Sequence, residues 1–171
     1  MDRQANKIRT TQAWAWRAGR LAGVDIYIHL TFVLLVGIVT LGQIIEGAGL
    51  RSVATGLIFL GALFGSVLLH ELGHALAARR FGIATVDITL LPIGGLARLE
   101  RMPTDPRQEL WIALAGPLVN VAIAIVLASY LAISGAPWPW QAAVAGGGSL
   151  AGRLLAANAL LAVFNLTPAF P

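Results

Sequence analysis

Apolar residues come in blocks too long for an ordinary soluble core, and those blocks limit the fold more than any other feature. They run roughly from Ile26 to Ile45, from Val53 through Leu69 to Ala78, from Leu110 to Ile133 and from Leu150 to Phe164. A helix needs ~20 apolar residues to cross the hydrocarbon of a bilayer. The first three blocks meet that length. The fourth is short, is interrupted or flanked by Asn158 and Asn165, and reads as a partly broken helix buried against protein. Charged residues make up only 12% of the chain, against ~25% in a soluble domain, too few to cover a water-facing surface. The expected fold class is therefore an all-α polytopic membrane protein with about four transmembrane helices.

Basic residues alternate with the blocks. Arg3, Lys7, Arg9, Arg17 and Arg20 precede the first, and Arg79, Arg80, Arg98, Arg101 and Arg107 lie between the second and third. Only Arg51, with Glu46, separates the first two, and Ser134 to Ser149 carries no charge. The positive-inside rule puts the tail and the Arg79–Arg107 segment in the cytoplasm. Residues 1–25 read as a basic cytoplasmic tail and 26–171 as the membrane core. The N-terminal stretch lacks the short apolar region and cleavage site of a signal peptide. The net charge of +4 follows this topology and needs no nucleic-acid partner. Trp14 and Trp16 suit the inner interface, Trp138 and Trp140 the outer one. With no cysteine, disulfides, thiolate metal sites and cysteine nucleophiles are excluded.

Between the second and third blocks the pattern changes. Thr85 to Leu91 reads as a strand, Pro92 stops it, Gly94-Gly95 permits a turn, and Leu96 to Leu99 reads as a returning strand. The two readings are an ordinary cytoplasmic loop and a small membrane-associated β hairpin. The hairpin needs protein or water around its backbone, because open sheet edges are not tolerated in lipid.

The residues that carry chemistry are His70, Glu71 and His74, in the order His-Glu-x-x-His at the inner end of the second block. On a helix the two imidazoles stack on one face and can hold one Zn2+, while Glu71 can reach a metal-bound water as general base. Ionisable residues in a membrane segment are expensive and usually functional. A purely structural metal, or polar groups facing water at a helix end, are the competing readings. Gly61 and Gly65, with Ser66, offer a small-residue stripe for helix approach. Gly146-Gly147-Gly148-Ser149 lacks the lysine of a phosphate loop and reads as an external turn.

His70-Glu71-Leu72-Gly73-His74-Ala75 in a transmembrane helix resembles the site-2 proteases, the intramembrane zinc metalloproteases. Gly116-Pro117-Leu118-Val119-Asn120, the Leu91–Gly95 segment and Asn165-Leu166-Thr167-Pro168 resemble further elements of that family, in the same order. Arg20-Leu21-Ala22-Gly23 to His29 is similar to the opening of prokaryotic members that carry CBS domains after the membrane core, so such domains are expected outside this chain. The resemblance implies cleavage of a transmembrane protein substrate in the lipid bilayer, with His70 and His74 as zinc ligands, Glu71 as the catalytic acid/base and Asn165 as a hydrogen-bond donor to the scissile carbonyl. It also implies a third ligand, an aspartate just beyond Pro171, so the chain reads as a fragment of a longer protein. Asp87, Glu100, Asp105 and Glu109 are weaker candidates for that ligand, since none has helical spacing to the histidines. His29 is open to a substrate, proton-transfer or interfacial role, and Asn120 to a site role or helix adhesion. A homo-oligomer is compatible with the sequence. The alternatives to a protease are a membrane metal-binding sensor or transporter element and a catalytically inactive scaffold.

Overall fold

The computed structural model describes residues 14–139 and 148–167. The expectations placed on Arg3, Lys7, Arg9, Trp140, Gly146, Gly147 and Pro168 to Pro171 lie outside the described residues. In chain order the elements are β1 (Ala15–Leu21), β2 (Val24–His29), α1 (Leu30–Ile45), α2 (Leu50–Arg80), β3 (Thr85–Leu91), β4 (Gly94–Leu99), α3 (Pro106–Ser134) and α4 (Leu150–Leu166).

Two of these helices, α2 with 31 residues and α3 with 29, are long and apolar enough to cross a membrane. The block expected to begin at Ile26 divides instead. Val24 to His29 is a strand, and the helix begins only at Leu30. At 16 residues α1 is about 24 Å long, shorter than the ~30 Å hydrocarbon core. The physical reason lies in the alternation of Val24-Asp25-Ile26. Val24 and Ile26 are buried on one face and Asp25 points to the other, a period of two that a continuous apolar count hides. His29 ends the strand, and its Nδ1 accepts the backbone N–H of Thr31 as the N-cap of α1.

The strands form one four-stranded sheet in the order β1-β2-β3-β4, where the sequence predicted at most a hairpin. β1 and β2 pair antiparallel across a two-residue turn. Both turn residues have positive φ, 52° at Ala22 and 88° at Gly23, the twist that a tight hairpin requires. β2 pairs parallel with β3 from Asp25↔Asp87 to Ile28↔Leu90, so the whole α1–α2 hairpin is the crossover between them. β3 and β4 pair antiparallel. Their turn falls on Pro92-Ile93, with Gly94 and Gly95 already in β4. β1 was hidden because Arg17, Gly19 and Arg20 break its apolar pattern; Arg17 is nonetheless tied to Asp25 across the hairpin at 2.6 Å, and that pairing raises its pKa.

The sheet packs on the C-terminal half of α2. Val24 and Ile88 meet Leu72 and Ala75 in one buried cluster, and Ala78 joins Ile83 and Ile112 of α3 in a second. A 31-residue helix is about 46 Å long, so α2 outruns the hydrocarbon and its last turns are free to carry the sheet. α3 starts at an Asp105 cap, whose carboxylate accepts the Arg107 N–H at 2.8 Å, with Pro106 at its first position. α4 is fixed to α2 by Asn158, whose Nδ2 donates to Ser66 Oγ at 3.3 Å, and by Arg153 over the Phe59 ring.

Candidate metal centre

The helical spacing puts the two motif histidines face to face. Their Nε2 atoms are 3.0 Å apart and their ring planes are 81° from parallel. Each ring is held from behind. His74 Nδ1 donates to the Ile112 carbonyl of α3 at 2.6 Å, and Asn120 Nδ2 of α3 lies 3.1 Å from His70 Nδ1. Because the Ile112 oxygen can only accept, His74 carries its proton on Nδ1 and leaves the Nε2 lone pair free.

α3 comes close at this level because its residues are small. A Cβ added at Gly73 of α2 would lie 2.8 Å from the Ala115 carbonyl oxygen. One added at Gly116 would overlap His74 Nε2 and stand 2.7 Å from His70 Nε2. The glycine stripe expected at Gly61 and Gly65 plays no such part, since a Cβ at either position meets nothing within 4 Å. The close helix approach occurs at Gly73, about two to three turns further along α2.

Glu71 faces the sheet. Its carboxylate accepts the Ala97 N–H of β4, and a Cβ on Gly95 would overlap its Cγ. β4 is the edge strand on this side, and its Ala97 N–H turns outward to meet the carboxylate. His70, Glu71, Gly94, Gly95, Asn120 and Asn165 line a single cavity of about 120 Å³. Larger grooves of about 370 and 390 Å³ have mainly apolar walls, with Arg80 on the first, and hold none of the motif side chains.

These residues fit a zinc ion. Bonds of ~2.05 Å in a tetrahedral shell would separate two ligand nitrogens by about 3.3 Å, close to the 3.0 Å found. The space both nitrogens face is the space that a side chain at Gly116 would fill. The set is also partial: among the described residues no group of three His, Cys, Asp or Glu stands ready to hold a metal. The acids considered from sequence are engaged elsewhere. Asp87 is buried in an ion pair with Arg98, which raises the Arg98 pKa. Asp105 caps α3, and Glu100 and Glu109 are exposed.

Asn165 reaches the cavity wall from the end of α4, where its Nδ2 donates to Leu161 O at 2.7 Å. His29 stays at its cap, away from the cavity. Sequence reasoning singled out neither Gly95 nor Gly116 as a site residue. The only signal for them was their place in the Leu-Pro-Ile-Gly-Gly and Gly-Pro-x-x-Asn segments.

Comparison with known proteins gives a consistent result. The family model for Peptidase family M50 matches residues 58–146. A zinc metalloprotease of Methanocaldococcus jannaschii is 37% identical over 158 residues, which are 91% of this chain and 42% of that protein. Stage IV sporulation protein FB of Bacillus subtilis is 39% identical over 56 residues, 32% of this chain and 19% of that protein. The solved structure of the site-2 protease from Methanocaldococcus jannaschii superposes with a TM-score of 0.66 at 36% identity, covering 92% of this chain and 67% of that one. The chain thus spans about two-fifths of the length of the curated relatives it matches over most of its own.

Proposed function

The chain belongs to peptidase family M50, and from that premise we propose that it forms the membrane core of an intramembrane zinc metalloendopeptidase. The observation that carries the reading is the convergence of the His70 and His74 Nε2 atoms on space kept open by Gly116, with Glu71 in the same cavity. His70 and His74 would hold the zinc. Bound there, zinc would acidify a water and polarise the scissile carbonyl.

Glu71 takes the proton of the attacking water on its carboxylate and passes it to the leaving amine. Asn165 spends one N–H on Leu161 O and has a second to give the carbonyl oxygen of the scissile bond. The substrate is a transmembrane segment of another protein. Its helix must unwind to expose a carbonyl, and the extended stretch then pairs with the outer edge of β4, which carries it past Glu71. We place the N-terminal region and the sheet on the cytoplasmic side of a multi-pass core, following the positive-inside rule. Water then reaches the cavity from that side.

The test is cleavage of a model transmembrane substrate by the full-length protein in detergent, with and without Glu71→Gln. Loss of a general acid–base group costs about 10²–10⁴ in rate, so the variant should bind zinc and cut at least about a hundredfold more slowly. Equal cleavage by both forms would rule out Glu71 as the base. Zinc binding with no cleavage by the intact form would favour a metal-binding or scaffold role.

A further inference from the structure

We propose that the groove between α2 and α3 that ends at Arg80 holds one anionic phospholipid, its acyl chain along the apolar walls and its headgroup phosphate on Arg80. The site is independent of the metal reading. It needs only that α2 and α3 cross the bilayer, for which both have the length and the apolarity. The groove has a volume of about 370 Å³, and its shape follows from residue size. Gly73 and Ala115 meet at its floor, where a Cβ on Gly73 would stand 2.8 Å from the Ala115 carbonyl oxygen. Small residues let the helices touch there. Leu76 and Phe81 of α2 and Trp111 and Leu118 of α3 are the bulky walls. Leu76, Trp111 and Leu118 are exposed apolar side chains on two membrane-spanning helices, so lipid is their natural solvent. From Gly73 to Arg80 the groove follows about 10 Å of helix, enough for the part of an acyl chain nearest its headgroup.

Apolar walls alone would accept a lipid tail or a neighbouring helix, and Arg80 decides between them. It is the last residue of α2, exposed and on the groove. Among the described residues its guanidinium makes no ion pair. Arg107, also exposed, stands four positions before Trp111 and therefore on the same face of α3. Glu109, two positions from Trp111, is turned about 160° away from it, and Asp105 is engaged as the α3 cap. The end of the groove thus carries positive charge. A guanidinium grips a phosphate through two parallel N–H bonds, and basic pockets between membrane helices take anionic headgroups. Trp111 stands at the same end, and its ring suits the level where tails meet headgroups. A helix packed into the groove would press apolar side chains on the Arg80 charge. A phospholipid offers a tail to the walls and a negative charge to the arginine at once.

The experiment reconstitutes the full-length protein in phosphatidylcholine vesicles. Quenching of tryptophan fluorescence is measured with brominated phosphatidylglycerol and, separately, with brominated phosphatidylcholine. Trp111→Phe identifies the share of the signal that Trp111 contributes. In the intact protein the anionic lipid should quench that share at a mole fraction about fivefold lower, the preference expected of one arginine at an anionic headgroup. Arg80→Gln should abolish the preference and Arg80→Lys should keep most of it. Arg20→Gln, which removes the same charge from an exposed position in β1, should leave it unchanged. Equal quenching by the two lipids in the intact protein overturns the proposal. So does an equal loss in Arg80→Gln and Arg20→Gln, which would make the preference one of general surface charge. No quenching of Trp111 by either lipid would show that a further segment of the protein or a second copy covers the groove, and overturns it as well. Should Trp111→Phe not fold, native mass spectrometry of the phosphatidylglycerol retained through detergent purification decides: equal retention by the intact protein and Arg80→Gln overturns the proposal.

Discussion

At the level of single residues, the centre depends as much on a missing side chain as on those present. Gly116 lies where its Cβ would strike both Nε2 atoms. Gly116→Ala should therefore abolish high-affinity zinc binding, measured by chelator competition, while leaving α3 intact, since alanine favours a helix more than glycine does by ~1 kcal/mol. A protein that keeps its affinity after this change would show that the metal does not sit between the two rings. The motif itself was legible in the sequence because helical geometry alone puts residues four apart on one face. Gly116 and Asn120 were not, because their roles come from the crossing of α2 and α3, a tertiary contact with no local period. Asn165 was placed at the cavity by resemblance, and the contact of Asn158 with Ser66 gives the physical reason. It fixes α4 against α2 seven residues, about two helical turns, before Asn165.

Among the elements, the sheet most needs explaining, because it holds a buried ion pair beside the site. Asp87 is 2% exposed, and the Arg98 side chain reaches it from β4. Removing the partner of such a buried charge costs about 3–5 kcal/mol. Arg98→Met should therefore lower thermal stability in detergent more than Asp87→Ala does, because the arginine it would leave behind in the second case is already a quarter exposed and can turn to water. Melting temperatures of both variants equal to that of the intact protein would mean the pair adds little to the sheet. The β3–β4 hairpin was visible from Thr85 to Leu99 because a turn signal divides two apolar runs. β1 and β2 were not, since parallel pairing of β2 with β3 brings together segments that share no turn, and Val24 to His29 merges by composition with the helix that follows.

For the whole molecule, the charge alternation gives a topology that experiment can check directly. The chain has no cysteine, so single cysteines can be introduced without first removing others. Arg101→Cys should react with an impermeant thiol reagent only from the cytoplasmic side, and Ala136→Cys only from the outer side. Labelling of both from one side would refute the crossing of α3. The number of crossings was less legible than their apolar character. α1 and α4 are 16 and 17 residues long, and length at this margin depends on how each helix packs, which hydropathy does not report.

The parallel register of β2 on β3 also sets an order of assembly. Asp25 leaves the ribosome before Asp87, and both α1 and α2 lie between them. β2 has its β1 neighbour next to it in the chain, but its other neighbour, β3, is made only after α2. β4 follows β3 in the chain, so the strand that brings Gly95 against Glu71 is made only after the whole helix that carries the motif.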